Sequence, residues 1–169
     1  MSINTSNSTE DFIAKANYKI IGFGNIYMSD DGIGIRIIEE LRKANFSDIF
    51  DNVAIIDGGT SGIDLICTLQ ESDKVIIVDA LDAGQNIGEI VKFKLNEVSE
   101  FSGRKIKSFS LHGLDLGEVF NLMKSLNIRP DITIIGIKPK LVDYGEKLSP
   151  EIEKKIPEIL SRIKQEIIK

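Results

Sequence analysis

The sequence predicts an α/β protein, a single αβα sandwich with a twisted, mostly parallel, five-stranded sheet and helices on both faces. Short apolar runs rich in β-branched residues alternate with segments whose apolar residues recur at helical spacing, a pattern typical of parallel βαβ units. The 169-residue length suits one core, and the sequence has no internal repeat. We therefore expect one domain over residues 17–169, preceded by a flexible tail at residues 1–16.

Five runs are predicted strands. They are Tyr18 to Phe23, Val53 to Ile56, Lys74 to Val78, Gly88 to Leu95, and Ile132 to Ile137. The fourth run alternates apolar with charged residues, which is typical of a half-exposed strand. We expect that strand to lie antiparallel at an edge of the sheet.

Three predicted helices cover the sheet between these strands. Their apolar positions are Ile33, Ile37, Ile38 and Leu41, then Ile63, Ile66 and Cys67, then Leu116, Val119, Phe120 and Met123. A last helix opens at Ser149-Pro150-Glu151, where serine is expected to cap the helix and proline suits its first turn. Pro157 is expected to kink this helix or divide it in two.

The composition argues against a nucleic-acid or membrane partner and favours a reducing cellular compartment. The chain carries 26 acidic and 21 basic residues, a net charge of -5, which disfavours a nucleic-acid partner. Cys67 is the only cysteine and lies on an apolar helix face, so we expect it to be a core residue in a reducing cytoplasm. The N-terminal residues lack a signal-peptide pattern and no apolar run spans a membrane, so no membrane partner is expected.

Ligands of open parallel sheets bind at the carboxyl ends of the strands. Three acidic, glycine-containing segments follow the first three predicted strands: GFGNIYMSDDGIG from Gly22, DGGTSG from Asp57, and DALDAG from Asp79. Glycine lets a backbone approach a ligand closely, and each segment also brings a carboxylate to this edge. The sequence therefore predicts an acidic site there.

The segment GFGNIYMSDDGIG does not fit a phosphate-binding loop. Tyr27 stands where a dinucleotide fingerprint has its third glycine. Asp30 and Asp31 fall where the next helix begins, and their charge repels an anion there. We expect Asp30 to be the N-cap of that helix, which leaves Asp31 for a cation or a cationic substrate.

Asp79 and His112 are further candidates for this site. Asp79 follows the uncharged run Val75 to Val78, although an aspartate there also suits a helix cap or a turn. His112 is the only histidine, and a structural role is its alternative. If both meet Asp31, two carboxylates and one imidazole surround an open position that suits Zn²⁺ or Ni²⁺.

Five motifs in this order resemble the hydrogenase maturation endopeptidases. They are GFGNIYMSDDGIG, DGGTSG, VIIVDA, SLHG and IIGIKP, and the resemblance runs from about Lys19 to the last helix. Members of this family process the large subunit of nickel-iron hydrogenases. One departure is Lys138, where family members often have Gln or Glu.

The resemblance implies a monomeric αβα peptidase that removes a C-terminal extension from the large-subunit precursor after nickel insertion. It implies that Asp31, Asp79 and His112 are the metal ligands and catalytic residues, and that the substrate carries the nickel. No tightly bound organic cofactor is expected. Asp57, Gly58, Gly59 and Thr60 match the segment thought to recognise the substrate.

Two other functions remain open at this point. One is a nickel-binding accessory protein that escorts the precursor without cutting it. The other is a nucleotide-binding α/β enzyme that uses Gly22 and Gly24, although the adjacent acids disfavour it.

Overall fold

The computed structural model describes residues 16–60, 62–70, 73–100, 105–108 and 116–169. Its elements in chain order are β1 (Tyr18–Phe23), a first 3-10 turn (Ser29–Gly32), α1 (Ile33–Lys43), α2 (Phe46–Ile49), β2 (Val53–Gly59), α3 (Gly62–Cys67), β3 (Lys74–Asp82), β4 (Ile90–Lys94), a second 3-10 turn (Leu95–Glu100), β5 (Lys107–Ser108), α4 (Leu116–Ser125), β6 (Asp131–Ile137), α5 (Pro150–Glu153) and α6 (Ile156–Ile167). The alternation of strands and helices is confirmed. The predicted tail lies outside the described residues apart from Ala16.

Five strands form the main sheet in the order β2-β1-β3-β6-β4. β1 pairs in parallel with β2 and β3, and β3 pairs in parallel with β6. β4 pairs with β6 in the antiparallel direction, which confirms the predicted edge strand. The two-residue β5 adds an antiparallel pairing to Leu81 and Asp82 of β3. The sequence did not predict this strand, because it is short and polar and has no apolar run.

Two strands continue past their predicted ends at Ile56 and Val78. β2 includes Asp57, which pairs with β1, and β3 includes Asp79, which pairs with β6. Aspartate and glycine are depleted in strands, so the sequence indicated loops here. The ladders to neighbouring strands override that preference, and the acidic residues therefore lie within the sheet.

The core has one layer on each face of the sheet. The first layer brings α1, α2, α5 and α6 onto the sheet through residues that include Ile37, Phe46, Ile76, Ile135, Ile152 and Ile163. The second layer brings α3, α4 and the second 3-10 turn onto the other face through Ile66, Ile77, Val98, Val119, Met123 and Ile134. This arrangement confirms the predicted sandwich. In the described part of the chain, no helix is long and apolar enough to cross a membrane.

The C-terminal segment divides into two helices, as Pro157 predicted. α6 begins one residue before Pro157, where the missing N–H of proline costs no helical hydrogen bond. Ser149 holds the N-cap position of α5, but its side chain makes no capping hydrogen bond. Its hydroxyl donates to Asp30 at 2.9 Å instead, so the predicted N-cap position is confirmed but the serine hydroxyl has a different partner. A buried carboxylate is the stronger acceptor.

Glu166 fastens α6 to the sheet. The side chain is 11% exposed, and Lys92 and Lys169 each donate to it at 3.0 Å. The Thr133 hydroxyl donates to its other oxygen at 3.4 Å. Burial acts to raise the pKa of Glu166, but the hydrogen bonds and positive charges of the two lysines together outweigh burial and lower that pKa to about 2.

This network predicts an acid-sensitive contribution to stability. A carboxyl group with a lowered pKa stabilises the fold fully above its unfolded pKa, and that stability is lost as the pH falls toward the folded value. Glu166→Gln should therefore lower the free energy of unfolding by about 2 kcal/mol at pH 7, with the difference fading between about pH 5 and pH 2.

Urea denaturation at several pH values measures this difference. Glu158→Gln is the control, because Glu158 is 42% exposed and its ion pairs with Lys155 and Arg162 lie at the surface. A Glu166→Gln difference that stays constant across this pH range would contradict the assignment.

Candidate acidic site at the carboxyl edge of the sheet

Glycines bring the start of α1 directly onto the ends of two strands. A Cβ atom on Gly34 would lie 2.1 Å from the carbonyl oxygen of Phe23 and 2.5 Å from that of Val78. A Cβ atom on Gly24, whose φ is 152°, would lie 2.0 Å from the carbonyl oxygen of Asp31. Only glycine permits these contacts, so the acidic turn is held close to β1 and β3.

Asp30 is a fully buried carboxylate with four hydrogen-bond donors. The backbone N–H groups of Lys140, Leu141 and Ser149 donate to it at 2.9, 2.8 and 2.6 Å, and the Ser149 hydroxyl donates at 2.9 Å. The predicted helix cap is wrong, because Gly32 is the N-cap residue of α1 and no side chain caps it. Asp30 instead ties the β1–α1 connection to the segment after β6.

Asp31 lies in the same turn and is 5% exposed. Its Oδ2 atom accepts a hydrogen bond from the backbone N–H of Asn25 at 3.1 Å. The turn packs against β3, and Gly34 rests on Val78, the residue before Asp79. The predicted meeting of the first and third strand ends therefore holds for the elements that carry Asp31 and Asp79.

Asp79 lies inside β3, is 2% exposed and pairs in register with Gly136 of β6. This position within a strand argues against the alternative roles of helix cap or turn. The hydroxyl of Ser108 in β5 donates a hydrogen bond to its Oδ2 atom. A carboxylate in an apolar layer requires such a partner.

Ser108 was not recognised in the sequence, because it belongs to no motif and its contact with Asp79 depends on β5. His112 and the SLHG motif lie outside the described residues. Within the described ranges, no three His, Cys, Asp or Glu side chains are grouped to hold a metal. The third member of the predicted ligand set therefore stays a prediction.

The predicted recognition loop lies beside the acidic turn. The carbonyl oxygen of Gly59 accepts a hydrogen bond from the N–H of Gly24 at 2.9 Å. Asp57 accepts one from the N–H of Gly59 at 2.9 Å, which stabilises the positive φ of 50° at that glycine. Gly58 is buried, whereas Asp57 and Thr60 are exposed and therefore accessible to a substrate.

Lys138, the residue that departs from the family pattern, forms an ion pair at the same edge. Its Nζ atom lies 2.5 Å from Oδ2 of Asp82 at the end of β3. The hydrogen bond from Lys138, followed by that from the N–H of Gly84, lowers the pKa of Asp82.

Fold and site together define an αβα protein with an acidic site at the carboxyl edge of its sheet. The carboxylates lie where a nucleotide-binding protein of this architecture holds phosphate. Such a site suits a cation or a cationic group.

A family profile described as hydrogenase maturation protease matches residues 35–166. Hydrogenase expression/formation protein HupD of Bradyrhizobium diazoefficiens is 36% identical over 139 residues, which are 81% of this chain and 70% of that protein. Hydrogenase 2 maturation protease of Escherichia coli is 31% identical over 146 residues, 85% of this chain and 86% of that protein. The chain belongs to the hydrogenase maturation protease family, and it is a hydrolase.

Solved structures give the same result. The hydrogenase maturating endopeptidase HybD from Escherichia coli superposes with a TM-score of 0.69 at 28% identity, covering 87% of this chain and 89% of that chain. The nickel-iron hydrogenase maturation protease HybD from Thermococcus kodakarensis superposes with a TM-score of 0.67 at 26% identity, covering 89% of this chain and 99% of that chain. The predicted fold class and family are thereby confirmed.

The two adjacent aspartates should respond differently to substitution. Asp30→Asn turns an amide donor toward groups that already donate, so we expect it to lower the free energy of unfolding by about 3 kcal/mol. Asp31→Asn keeps an oxygen that can accept the Asn25 hydrogen bond, so its loss should be about 1 kcal/mol or less. Urea denaturation of both variants at neutral pH makes the comparison, and equal losses would contradict the separate roles.

Proposed function

We propose that this protease removes the C-terminal extension of a nickel-iron hydrogenase large-subunit precursor after nickel has been inserted. The observation that carries the proposal is the placement of two buried acids, Asp31 and Asp79, on adjoining elements at one edge of the sheet. Family membership supports it, and so do the names of the Escherichia coli and Thermococcus kodakarensis proteins.

The nickel in this proposal belongs to the substrate. Asp31 and Asp79 supply carboxylate oxygens, and His112 supplies an imidazole nitrogen, which nickel accepts readily. A carboxylate has about four lone-pair positions, so a hydrogen bond from Asn25 or Ser108 does not prevent coordination. His112 follows Ser108 by four residues, and a chain of that length spans at most ~14 Å, which supports placing His112 in the set.

Two further residue groups prepare the site for substrate. The hydrogen bond from Ser108 fixes the rotamer of Asp79, so that its carboxylate is oriented before substrate arrives. The loop from Asp57 to Thr60 recognises the substrate beside the acidic turn. Its contact with Gly24 supports this role, because it connects the loop with the turn that carries Asp31.

Hydrolysis adds a hydroxyl group to the scissile carbonyl carbon and a proton to the departing amine. The acidic site can accept the proton that the attacking water gives up, as an aspartyl-type endopeptidase does. The choice of base between Asp31 and Asp79 stays open. The proposed enzyme is a monomer that works in the cytoplasm, which suits a chain whose single cysteine has no partner for a disulfide.

Neither alternative function has equal support. An escort protein that binds nickel without cutting does not account for membership of a protease family. A nucleotide-binding enzyme would require phosphate near Asp30 and Asp31, two buried carboxylates.

Removing one ligand at a time tests the site. Asp79→Asn and His112→Ala should each lower the rate of cleavage of a nickel-loaded precursor by at least about 100-fold, because each removes a group that acts at the reacting centre. Asp48→Asn is the control, because Asp48 is an exposed acid on α2. Electrophoresis of the large subunit over time gives the rates. Wild-type rates in both site variants would contradict the proposed ligand set.

A further inference from the structure

Large hydrophobic side chains are exposed next to the acidic site. The described residues include ten exposed large hydrophobic side chains, and five of them lie on two loops, the β1–α1 connection and the segment after β6. The five are Ile26, Tyr27, Leu141, Val142 and Tyr144, with exposures of 44, 59, 47, 37 and 88%. These five residues are named the apolar loop face. Exposed apolar groups concentrated in this way mark interaction sites.

Backbone hydrogen bonds join the two loops. The N–H of Ser29 donates to the carbonyl oxygen of Gly145 at 2.8 Å, and the N–H of Gly145 donates to that of Tyr27 at 3.0 Å. The Ser29 hydroxyl donates to the carbonyl oxygen of Asp143 at 2.8 Å. A Cβ atom on Gly145 would lie 2.7 Å from Oγ of Ser29, so the contact is close.

Asp30 holds the same loops from the interior. Its N–H donates to the carbonyl oxygen of Leu141 at 3.0 Å, and its carboxylate accepts from the N–H groups of Lys140 and Leu141. The exposed side chains therefore project from a backbone that is already ordered. An ordered surface loses little conformational entropy on binding, which favours affinity.

The apolar loop face adjoins the acidic turn. Ile26 follows Asn25, whose N–H donates to Asp31, so one loop carries both the exposed residues and the bond to the site acid. A groove of about 280 Å³ opens beside the face, and its lining includes Ile26, Tyr27, Leu148, Arg36 and Glu146. A side chain of a bound partner fits a space of this size and composition.

The exposed charges of the two loops balance. Lys140 and Lys147 are matched by Asp143 and Glu146, all four exposed, whereas the two acids of the β1–α1 connection are buried. A neutral surface provides no attraction for nucleic acid or an anionic membrane. The favoured partner is an apolar patch on a folded protein.

We infer that the apolar loop face binds an apolar patch on the folded protein substrate and places its scissile peptide at Asp31 and Asp79. This inference rests on the proposed function and adds the surface by which the precursor is held. Tyr27 and Tyr144 are its anchors, since aromatic residues carry much of the binding energy at protein interfaces.

Two tyrosine variants test the inference with the nickel-loaded precursor. Tyr27→Ser/Tyr144→Ser should raise KM and the precursor Kd by about 10- to 100-fold and leave kcat within about twofold, because binding is lost equally from ground state and transition state. Tyr144→Ser alone should raise KM and the precursor Kd about threefold or more. It is the safer variant for folding because this residue is 88% exposed.

Ile49→Ser is the matched control, because Ile49 is 65% exposed on α2 and lies outside the face. Its KM and Kd should equal those of the unaltered chain.

The dependence of the precursor Kd on ionic strength provides a second test. Binding through a neutral apolar face should change Kd by less than about threefold between 0.1 and 0.5 M NaCl, whereas a charged interface loses affinity steeply. A steep loss would overturn the inference.

The binding and cleavage measurements separate the two proposals. If the unaltered chain cleaves the precursor and the tyrosine variants keep its KM and Kd, the inference is overturned and the proposed function stands. If the unaltered chain binds the precursor without shortening it, the proposed function is overturned, and the variants still decide the inference through Kd. A chain that neither binds nor cleaves the precursor overturns both.

Discussion

The buried carboxylate of Asp30 is the interaction on which the functional edge of this protein depends. A carboxylate removed from water is costly unless donors surround it, and all four donors come from the segment between β6 and α5. Burial of Asp30 therefore requires that this segment fold back onto the β1–α1 connection. One charge thus fixes the exit of the last strand, the start of α5 and the turn that carries Asp31.

The rest of the edge follows from this fixed turn. Gly24 and Gly34 let the turn and the start of α1 lie against β1 and β3, which places Asp31 beside the strand that holds Asp79. The proposed recognition loop joins the turn through Gly24, and the apolar loop face is the outer surface of the segments that Asp30 ties together. In our account, the chemistry, the recognition of substrate and its docking therefore all depend on the buried hydrogen bonds of Asp30. The adjacent acids thus have separate assignments: Asp30 is structural, and Asp31 is proposed to take part in the chemistry.

Periodicity and strand-end chemistry were sufficient to predict much of this molecule. The five main strands, the antiparallel edge strand, the division of the last helix at Pro157 and the family could be predicted, because each depends on a local pattern or an ordered set of motifs. The role of Asp30 could not, since its donors lie more than 100 residues along the chain. Ser108 was missed because it belongs to no motif and meets Asp79 only through the pairing of β5 with β3. Asp79 lies within a strand because neighbouring strands pair with it.

The central claim is that this acidic site cuts a precursor whose nickel is already in place. Intact-mass spectrometry of the large-subunit precursor, nickel-loaded and nickel-free, before and after incubation with the unaltered chain, tests it most directly. The account predicts that the loaded precursor loses the mass of a C-terminal peptide and that the nickel-free precursor keeps its full mass. An unchanged mass for the loaded precursor, or equal shortening of both, would contradict it.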